Sequence, residues 1–263
     1  MELGLKGKKA LITGGATGIG KAIALDLAKE GVMVAITSRS EARLEAALQE
    51  MGARQAGHYG VVTGLTEDGG PAALIKELQS QFGNPDIVVN NIGDTLGITD
   101  PYCPISDWRK IFRLNLEVAV ELNDLTIPYM KERDWGRLVN ISAGASLENS
   151  GPVPYCASKA ALTAYTRSMG RILAIETTNV VMSAVLPGII LTEDGHWANV
   201  LKERPGHATK YLKERCPLGR FGQPSEISPM VLMLCSELAT FCQGTIVLVD
   251  AGQGKHYVNI EGL

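Results

Sequence analysis

A tyrosine and a lysine are spaced so that they could share a proton on one face of a helix. Tyr155 and Lys159 lie four residues apart in the segment PYCASK, which leads into an apolar helical run. Residues at this spacing are neighbours on a helix surface. A phenol has an ordinary pKa near ~10, and a buried ammonium beside it favours the phenolate. Tyr155 could therefore act as an acid or a base near neutrality, although a solvated surface pair has the same spacing.

A glycine-rich turn near the N-terminus is placed to bind a nucleotide. The apolar run 9–13 leads into the turn GGATGIG (residues 14–20) and then into a helical pattern over 21–28. In a strand, turn and helix of this kind, a diphosphate binds at the helix N-terminus. We expect Gly14 to make the tight turn, Gly18 to let the backbone approach phosphate, and Gly20 to let the helix pack closely.

The end of the second predicted strand favours NADP(H) over NAD(H). Strand 32–36 ends at Thr37, Ser38 and Arg39, where NAD-dependent enzymes of this architecture place an acid against the ribose hydroxyls. No acid is present here, and the Arg39 guanidinium can bind a 2′-phosphate with two donors. The alternative is an arginine solvated at a strand–helix corner. Thr17 adds no further positive charge in the glycine turn.

Apolar strands alternate with helical patterns along the rest of the chain. Further strands are predicted near 58–62, 86–90, 136–142, 180–186 and 245–249. Helices are predicted near 41–51, 67–82, 106–131, 155–176 and 226–238. This alternation predicts an α/β fold with a doubly wound parallel sheet, covered by helices on both faces. Ligands of such sheets bind beyond the carboxyl ends of the strands.

Several polar residues fall at those strand ends or interrupt apolar patterns. Asn90 ends the fourth strand and could tie neighbouring strand ends together. Asn115 interrupts the apolar helical pattern 106–131, either as a satisfied buried amide or as a local disruption that holds a water. The turn 187–192 exposes backbone groups and the Thr192 hydroxyl where a nicotinamide carboxamide would lie.

The chain of 263 residues has no linker-like segment, so we expect one domain over 1–263. Segment 193–216 is charged and aromatic and predicts a mobile helical lid. Its His196, Trp197, His207 and Tyr211 could touch substrate, although a solvated lid face is the alternative.

Composition excludes several classes of partner. The net charge of -3, with both signs interspersed, gives no case for nucleic acid or an anionic membrane surface. Five cysteines without a C-x-x-C pair indicate neither a disulfide framework nor a metal site. No signal peptide or membrane-spanning run is recognisable. We therefore expect a cytoplasmic protein that acts on a small molecule.

Taken together and in order, these motifs resemble the short-chain dehydrogenase/reductase family. The matching segments are TGGATGIG (13–20), NNIG (90–93), Asn115, Ser142, YCASK (155–159), PGIILT (187–192) and PLGRFGQPSEI (217–227). The resemblance covers essentially the whole chain. It implies a Rossmann-type fold and an NADP-dependent oxidoreductase that interconverts a ketone or aldehyde with an alcohol. It also implies a homotetramer, with a homodimer as the alternative.

The resemblance also implies residue roles. Tyr155 would be the acid or base, and Ser142 would hold the carbonyl oxygen. Lys159 would bind the nicotinamide ribose and lower the pKa of Tyr155, while Asn115 would keep a water for a proton relay. The residues that would hold the cofactor are Gly14, Thr17, Gly18, Ile19, Gly20, Ser38, Arg39, Leu65, Asn90, Asn91, Gly93, Tyr155, Lys159, Pro187, Gly188, Ile189 and Thr192.

Departures from the family pattern leave alternatives open. Gly64 and Leu65 stand where relatives usually have Asp-Val, which removes a side-chain contact to adenine but leaves a backbone contact at Leu65. Ser142 lies 13 residues before Tyr155, a spacing the family commonly shows, and is preferred over Ser146 on that ground. The substrate stays open between a simple carbonyl compound, an activated sugar and a 3-oxoacyl thioester. A non-catalytic nucleotide-binding regulator is a further alternative.

Overall fold

Seven parallel strands form a single sheet in the computed structural model, which describes residues 1–52 and 56–254. The strands are β1 (Lys9–Ile12), β2 (Met33–Ser38), β3 (Tyr59–Val62), β4 (Ile87–Asn90), β5 (Gly136–Ile141), β6 (Val180–Pro187) and β7 (Ile246–Val249). Their order across the sheet is β3-β2-β1-β4-β5-β6-β7. The predicted doubly wound parallel sheet is thereby confirmed.

Helices cover both faces of this sheet. They are α1 (Gly18–Lys29), α2 (Glu41–Glu50), α3 (Gly70–Gln81), α4 (Ile105–Phe112), α5 (Val118–Glu132), α6 (Val153–Glu176), α7 (His196–Glu203), α8 (Pro205–Arg215) and α9 (Ser228–Cys235). Alternate strand residues face opposite sides. On β1, Ile12 packs with Ile23 and Leu27 of α1, whereas Leu11 packs on the other face with Leu122 of α5.

The predicted helix 106–131 is interrupted where Asn115 breaks its apolar pattern. A π-helical turn, Arg113–Glu117, separates α4 from α5 and buries Asn115. π-Turns of this kind are frequent at functional sites. The structure therefore shows both predicted alternatives at once, a local disruption and a buried amide whose hydrogen bonds are satisfied. That the disruption holds a water stays a prediction. The predicted helix 226–238 is also shorter than expected and ends at Cys235, because the Ser236 hydroxyl caps a following 3₁₀ turn.

The winding direction changes between β1 and β4, and this opens a crevice at their carboxyl ends. β1 pairs with β2 on one side and with β4 on the other. Ligands bind at such a switch point in open parallel sheets. Just beyond β1, the Thr13 hydroxyl accepts hydrogen bonds from the Asn91 and Ile92 amides, at 2.9 and 3.2 Å. The loops that follow the two strands are therefore held together.

Candidate active site

A cavity of about 450 Å³ lies at the switch point, against the loops that follow β1, β2, β3 and β4. It is lined by ten of the residues that the sequence assigns to the cofactor. These are Gly14, Thr17, Gly18, Ile19, Ser38, Arg39, Leu65, Asn91, Gly93 and Thr192. The structure thus brings together residues that are up to 178 positions apart, since 192 − 14 = 178.

The glycine turn forms one end of the cavity in a backbone shape that side chains rarely adopt. Gly14 and Gly18 have φ values of +63° and +55°. A Cβ at Gly18 would lie 3.1 Å from Cγ2 of Thr192 across the cavity. The first turn of α1 carries no acid, and within the described residues Thr17 makes no side-chain capping bond. The amides of that turn therefore suit an anion such as a diphosphate.

Gly20 has the close-packing role expected of it, but it does not line the cavity as Gly14 and Gly18 do. A Cβ added at Gly20 would lie 2.4 Å from the Gly14 carbonyl oxygen and 2.5 Å from Nδ2 of Asn91. The absence of a side chain at Gly20 therefore lets α1 pack against the glycine turn itself. The Asn91 side chain donates to the Thr13 carbonyl at 2.9 Å, which ties the turn to the end of β4.

The arginine end of the cavity is formed by the loop between β2 and α2. Ser38, Arg39, Ser40 and Arg43 all line it. Arg39 is exposed and has no ion-pair partner in the part of the chain that the structure describes. Gly64 lines the neighbouring wall with backbone only, as its replacement of an acid predicts.

The opposite end of the cavity leads to a lysine and an asparagine packed around Gly93. A Cβ on Gly93 would lie 2.6 Å from Nζ of Lys159 and 2.8 Å from Oδ1 of Asn115. Only glycine leaves room there for both groups. Asn115 accepts from the Asp94 amide at 3.1 Å and donates to the carbonyls of Asp94 and Ile111, each at 2.9 Å. It therefore fixes the loop after β4.

Tyr155 and Lys159 meet as their spacing predicts, on the first turns of α6. Nζ of Lys159 is 6.0 Å from the centroid of the Tyr155 ring. Lys159 is 2% exposed, and its ammonium donates to the Ile141 carbonyl at 2.9 Å. Burial lowers the pKa of Lys159 to about 8.

The pKa of Tyr155 moves in the direction opposite to the one expected. Burial raises it, and the Asp94 carboxylate raises it further because a nearby negative charge disfavours the phenolate. The expectation that Lys159 lowers this pKa is therefore wrong for the protein alone. A neutral phenol at physiological pH is a proton donor, which suits the reductive direction.

Ser142 is placed differently from the expected contact with a substrate oxygen. It is 4% exposed, and its hydroxyl lies 3.0 Å from the Lys159 carbonyl oxygen and 3.0 Å from Oγ1 of Thr163. The hydroxyl therefore anchors α6 beneath Lys159, and its assignment to the carbonyl oxygen is corrected. Oγ of Ser146, in contrast, is buried without a hydrogen-bond partner among the described residues.

Replacing Ser142 with alanine is expected to have a modest effect. Thr163 still donates to the Lys159 carbonyl at 3.0 Å, so no buried acceptor is orphaned and the loss is about 1 kcal/mol of stability. We expect kcat/KM to fall by roughly 10-fold or less, far short of a lost acid or base. Steady-state kinetics of Ser142→Ala beside Ser146→Ala would measure this. A loss above 1,000-fold in Ser142→Ala alone would restore the substrate-binding role.

The turn after β6 departs from the expected cofactor contact. The sequence predicts that this turn offers its backbone groups to the cofactor. The Ile189 amide instead donates to Oε1 of Gln253 at 2.9 Å. Gly188 and Ile189 line a smaller cavity of about 240 Å³, and Pro187 is buried at the end of β6. Thr192 alone among the expected residues of this turn lines the larger cavity in the described part of the chain.

Asn90 is also placed in the core rather than at the cavity. Its Nδ2 donates to Oδ1 of Asn123 at 2.8 Å and to Oδ1 of Asn140 at 2.9 Å. The predicted tie between strand ends is confirmed, because Asn90 and Asn140 are partners across β4 and β5. The side chain is therefore committed to the sheet, which corrects its assignment to cofactor contact.

Comparison with known proteins decides the family. The family model described as enoyl-(acyl carrier protein) reductase matches residues 14–253. The chain belongs to the short-chain dehydrogenase/reductase family. Among curated members, 3-oxoacyl-[acyl-carrier-protein] reductase FabG of Aquifex aeolicus is 36% identical over 254 residues, covering 96% of this chain and 99% of the relative.

Solved structures of oxidoreductases also have a fold similar to that of this chain. L-Sorbose reductase from Gluconobacter frateurii, complexed with NADPH and L-sorbose, has a TM-score of 0.88 and 29% identity, covering 98% of this chain and 100% of that one. A 3-oxoacyl (acyl-carrier-protein) reductase from Agrobacterium tumefaciens with NADP bound has a TM-score of 0.86 and 28% identity, covering 95% and 96%.

The segment 193–216, for which the sequence predicts a lid, is helical in the structure and contains α7 and α8. The ring of Trp197 packs 4.6 Å from that of Tyr211 and 5.3 Å from that of Phe221, measured between centroids. The Tyr211 hydroxyl accepts from Nε2 of Gln253 at 3.0 Å. Gln253 thus joins Tyr211 of α8 to the Ile189 amide. No sequence signal marked it.

Arg43 and Asp94 also line the cavity, and neither belongs to a motif that predicts a site. Arg43 could have been found from its spacing, four residues after Arg39 at the start of a helix. Asp94 could have been noticed as the acid that directly follows Gly93.

Within residues 1–52 and 56–254, no cluster of His, Cys, Asp or Glu has the arrangement of a metal site. In the same part of the chain, no helix combines the length and apolar character needed to cross a membrane.

Proposed function

We propose that this protein is an NADP(H)-dependent oxidoreductase that interconverts a ketone or aldehyde with the corresponding alcohol. The observation that carries the proposal is the Tyr155–Lys159 pair, which lies where Gly93 closes the inner end of the 450 Å³ cavity. The other end of the cavity offers the amides of α1 and the Arg39 guanidinium, which fit a diphosphate and a 2′-phosphate. One dinucleotide would thus span from Arg39 to Lys159.

Each residue has a defined task in the proposed reduction. The residues that line the cavity would hold NADPH, and the cofactor, when bound, would supply the hydride for the carbonyl carbon. The neutral Tyr155 hydroxyl gives its proton to the carbonyl oxygen, and the raised pKa keeps that proton in place until it is needed. Lys159 lies beside Gly93, where its ammonium would bind the ribose hydroxyls. Asn115 holds the Asp94 loop against this site.

The 2′-phosphate contact of Arg39 predicts a change of cofactor preference on substitution. In Arg39→Asp the guanidinium is replaced by an acid that repels phosphate and accepts from ribose hydroxyls. We expect the ratio of kcat/KM for NADPH over NADH to fall by at least about 100-fold. Parallel assays with the two cofactors measure it, with Lys76→Asp, the same change of charge at an exposed position of α3, as a surface control. A preference for NADPH that survives the change would contradict this assignment.

A 3-oxoacyl thioester is the substrate class with most support. The curated relatives that share 30–36% identity with this chain carry the name 3-oxoacyl-[acyl-carrier-protein] reductase. The lid also presents five cations, which suit an anionic carrier. These are Lys202, Arg204, Lys210, Lys213 and Arg215. Four acids in the same segment offset part of this charge. These are Glu193, Asp194, Glu203 and Glu214.

A polyhydroxy ketone is the second candidate, and Asp94 favours it. This carboxylate lines the cavity and lies close enough to Tyr155 to raise its pKa. An acid there accepts hydrogen bonds from substrate hydroxyls and repels an anion. The L-sorbose reductase structure shows that this fold accepts a ketose in a relative.

A substrate panel separates these functions. NADPH and NADH are supplied in parallel with a 3-oxoacyl thioester, a set of ketoses and an apolar cyclic ketone, and cofactor oxidation is followed. We expect NADPH oxidation with the thioester. Faster turnover of a ketose would select the second candidate. Tight NADPH binding without oxidation by any compound would favour a non-catalytic nucleotide-binding regulator.

We also propose a single domain with α7 and α8 as its lid, a cytoplasmic location and a homotetramer. The cysteines are unpaired, as expected in a reducing compartment. Exposed apolar side chains lie in two different parts of the chain: Tyr102 and Ile105 beside α4, and Leu238 and Phe241 before the edge strand β7. Two apolar faces on one protomer suit dihedral assembly, and a homodimer would use one of them. Light scattering of the purified protein would measure the mass of the assembly.

A further inference from the structure

Another arginine lies at the same end of the cavity as Arg39. Arg43 is in the first turn of α2, one helical turn beyond Arg39, and it lines the cavity with Ser38 and Ser40. Its Nη2 is 2.9 Å from Oδ2 of Asp194. Asp194 precedes the first lid helix, α7. The ion pair therefore joins the phosphate end of the cavity to the start of the lid.

Both side chains of this ion pair are exposed, so another anion can readily replace the Asp194 carboxylate on Arg43. The side chains of Arg43 and Asp194 are 53% and 61% exposed. Exposed pairs add little to stability, because solvent screens them and both side chains lose freedom. A phosphate monoester carries a charge of about −1.5 to −2 at neutral pH, against −1 for a carboxylate. It also accepts two parallel hydrogen bonds from one guanidinium.

We propose that Arg43 is a further ligand of the 2′-phosphate, alongside Arg39, and that Asp194 competes with the phosphate for it. Binding of NADP(H) then releases Asp194 and with it the first residues of the lid. NAD(H) has no 2′-phosphate and leaves the ion pair intact. This inference rests on the proposed use of NADP(H).

The surrounding charges are consistent with such an exchange. Arg39 has no acidic partner among the described residues, so a phosphate at this end meets at least one uncommitted guanidinium. The N-terminal turn of α2 adds its partial positive charge on the same side, with Glu41 as the acid of that turn. Once Arg43 turns to the phosphate, Asp194 is repelled by the phosphate charge. The lid should therefore be less firmly held with NADP⁺ than with NAD⁺.

Binding measurements on charge variants test the first half of the proposal. Isothermal titration of NADP⁺ and NAD⁺ is compared for wild type, Arg43→Gln, Asp194→Asn and Glu193→Gln. The last is the matched control, since Glu193 is the exposed neighbour of Asp194. We expect Arg43→Gln to weaken NADP⁺ binding by about 10-fold and Asp194→Asn to tighten it by about 3-fold. Glu193→Gln and all NAD⁺ affinities should change by less than about 2-fold.

Limited trypsin digestion tests the second half. The lid offers exposed Lys202 and Lys210 for cleavage. In the wild type, we expect trypsin to cleave these sites faster when the protein is saturated with NADP⁺ than when it is equally saturated with NAD⁺. The difference should vanish in Asp194→Asn, where no ion pair forms, and persist in Glu193→Gln.

Several outcomes would overturn the inference while leaving the proposed function standing. One is NADP⁺ binding that is unchanged in both Arg43→Gln and Asp194→Asn. Another is equal weakening of NADP⁺ and NAD⁺ in Arg43→Gln, which would give Arg43 a structural role; thermal melting of the variant confirms that it is folded. A wild-type protein that binds neither dinucleotide would instead overturn the proposed function itself.

Discussion

Replacement of Tyr155 by phenylalanine is expected to lower kcat/KM for carbonyl reduction by about three orders of magnitude. The ring is retained, so the packing of α6 and the shape of the cavity should be preserved. What is lost is the one hydroxyl proton that the site is proposed to deliver to the carbonyl oxygen. Burial raises the pKa of Tyr155, which keeps that proton available across the neutral range. NADP⁺ should bind within about 3-fold of its wild-type affinity.

The same helix provides a matched control. Tyr165 is half-buried, as Tyr155 is, and its partial burial raises its pKa to about 12. Its hydroxyl accepts from Nδ2 of Asn123 at 3.4 Å, away from Lys159. Tyr165→Phe therefore removes the same atom from the same element and should keep nearly full activity. Turnover of Tyr155→Phe at the level of Tyr165→Phe would show that Tyr155 is not the proton donor.

Replacement of Lys159 by methionine is expected to have the next largest effect on activity. Methionine fills a similar volume but cannot donate to the ribose hydroxyls that Lys159 is proposed to bind. We expect kcat/KM to fall by about 100-fold or more. Steady-state kinetics and NADP⁺ titration together measure it. The contrary result would be an unchanged affinity for NADP⁺ together with wild-type turnover.

Lys159→Met should at the same time make the protein more stable, and the gain should depend on pH. The folded-state pKa of about 8 lies below the value of ~10.4 for an unfolded lysine, so burial of the charge opposes folding. That penalty is complete below the folded-state pKa. It amounts to about 3 kcal/mol, from which the lost hydrogen bond to the Ile141 carbonyl subtracts about 1 kcal/mol. The melting temperature should therefore rise by roughly 5 °C near pH 7.

The sign of the pH dependence follows from proton binding. Between the two pKa values the unfolded wild type holds more protons than the folded wild type, so its stability rises with pH. Methionine does not titrate. The difference in melting temperature between variant and wild type should therefore shrink as the pH rises from about 8 to about 10. A difference that stays constant across this window would contradict the buried, titrating Lys159.

Features that depend on local spacing could be predicted from the sequence. The turn from Gly14 to Gly20, the helical pair Tyr155 and Lys159, and the break at Asn115 are each contained within a few residues. Local backbone geometry decides such features, and alternation of strands and helices decides the sheet. The structure agrees with the prediction at these points.

Features that depend on contacts between distant segments could not be predicted in the same way. Distance along the chain from Tyr155 favours Ser142, but the direction of its hydroxyl depends on how the end of β5 packs against Thr163. The turn 187–192 is predicted to expose its backbone groups, but the Ile189 amide donates to the side chain of Gln253, 64 residues later. The direction in which the pKa of Tyr155 shifts depends on burial and on Asp94, and only the folded loop after β4 brings Asp94 near Tyr155. Tertiary packing decides all of these.

Transfer of deuterium from NADPH tests the central claim most directly. NADPH carrying deuterium at C4 of the nicotinamide, in each of its two stereochemical forms, is incubated with the protein and a 3-oxoacyl thioester or a ketose. The proposed reduction predicts one deuterium on the carbinol carbon of the product from one of the two forms, and its loss in Tyr155→Phe. Product without deuterium from either form, or bound NADPH that keeps its label with every carbonyl compound, would contradict it.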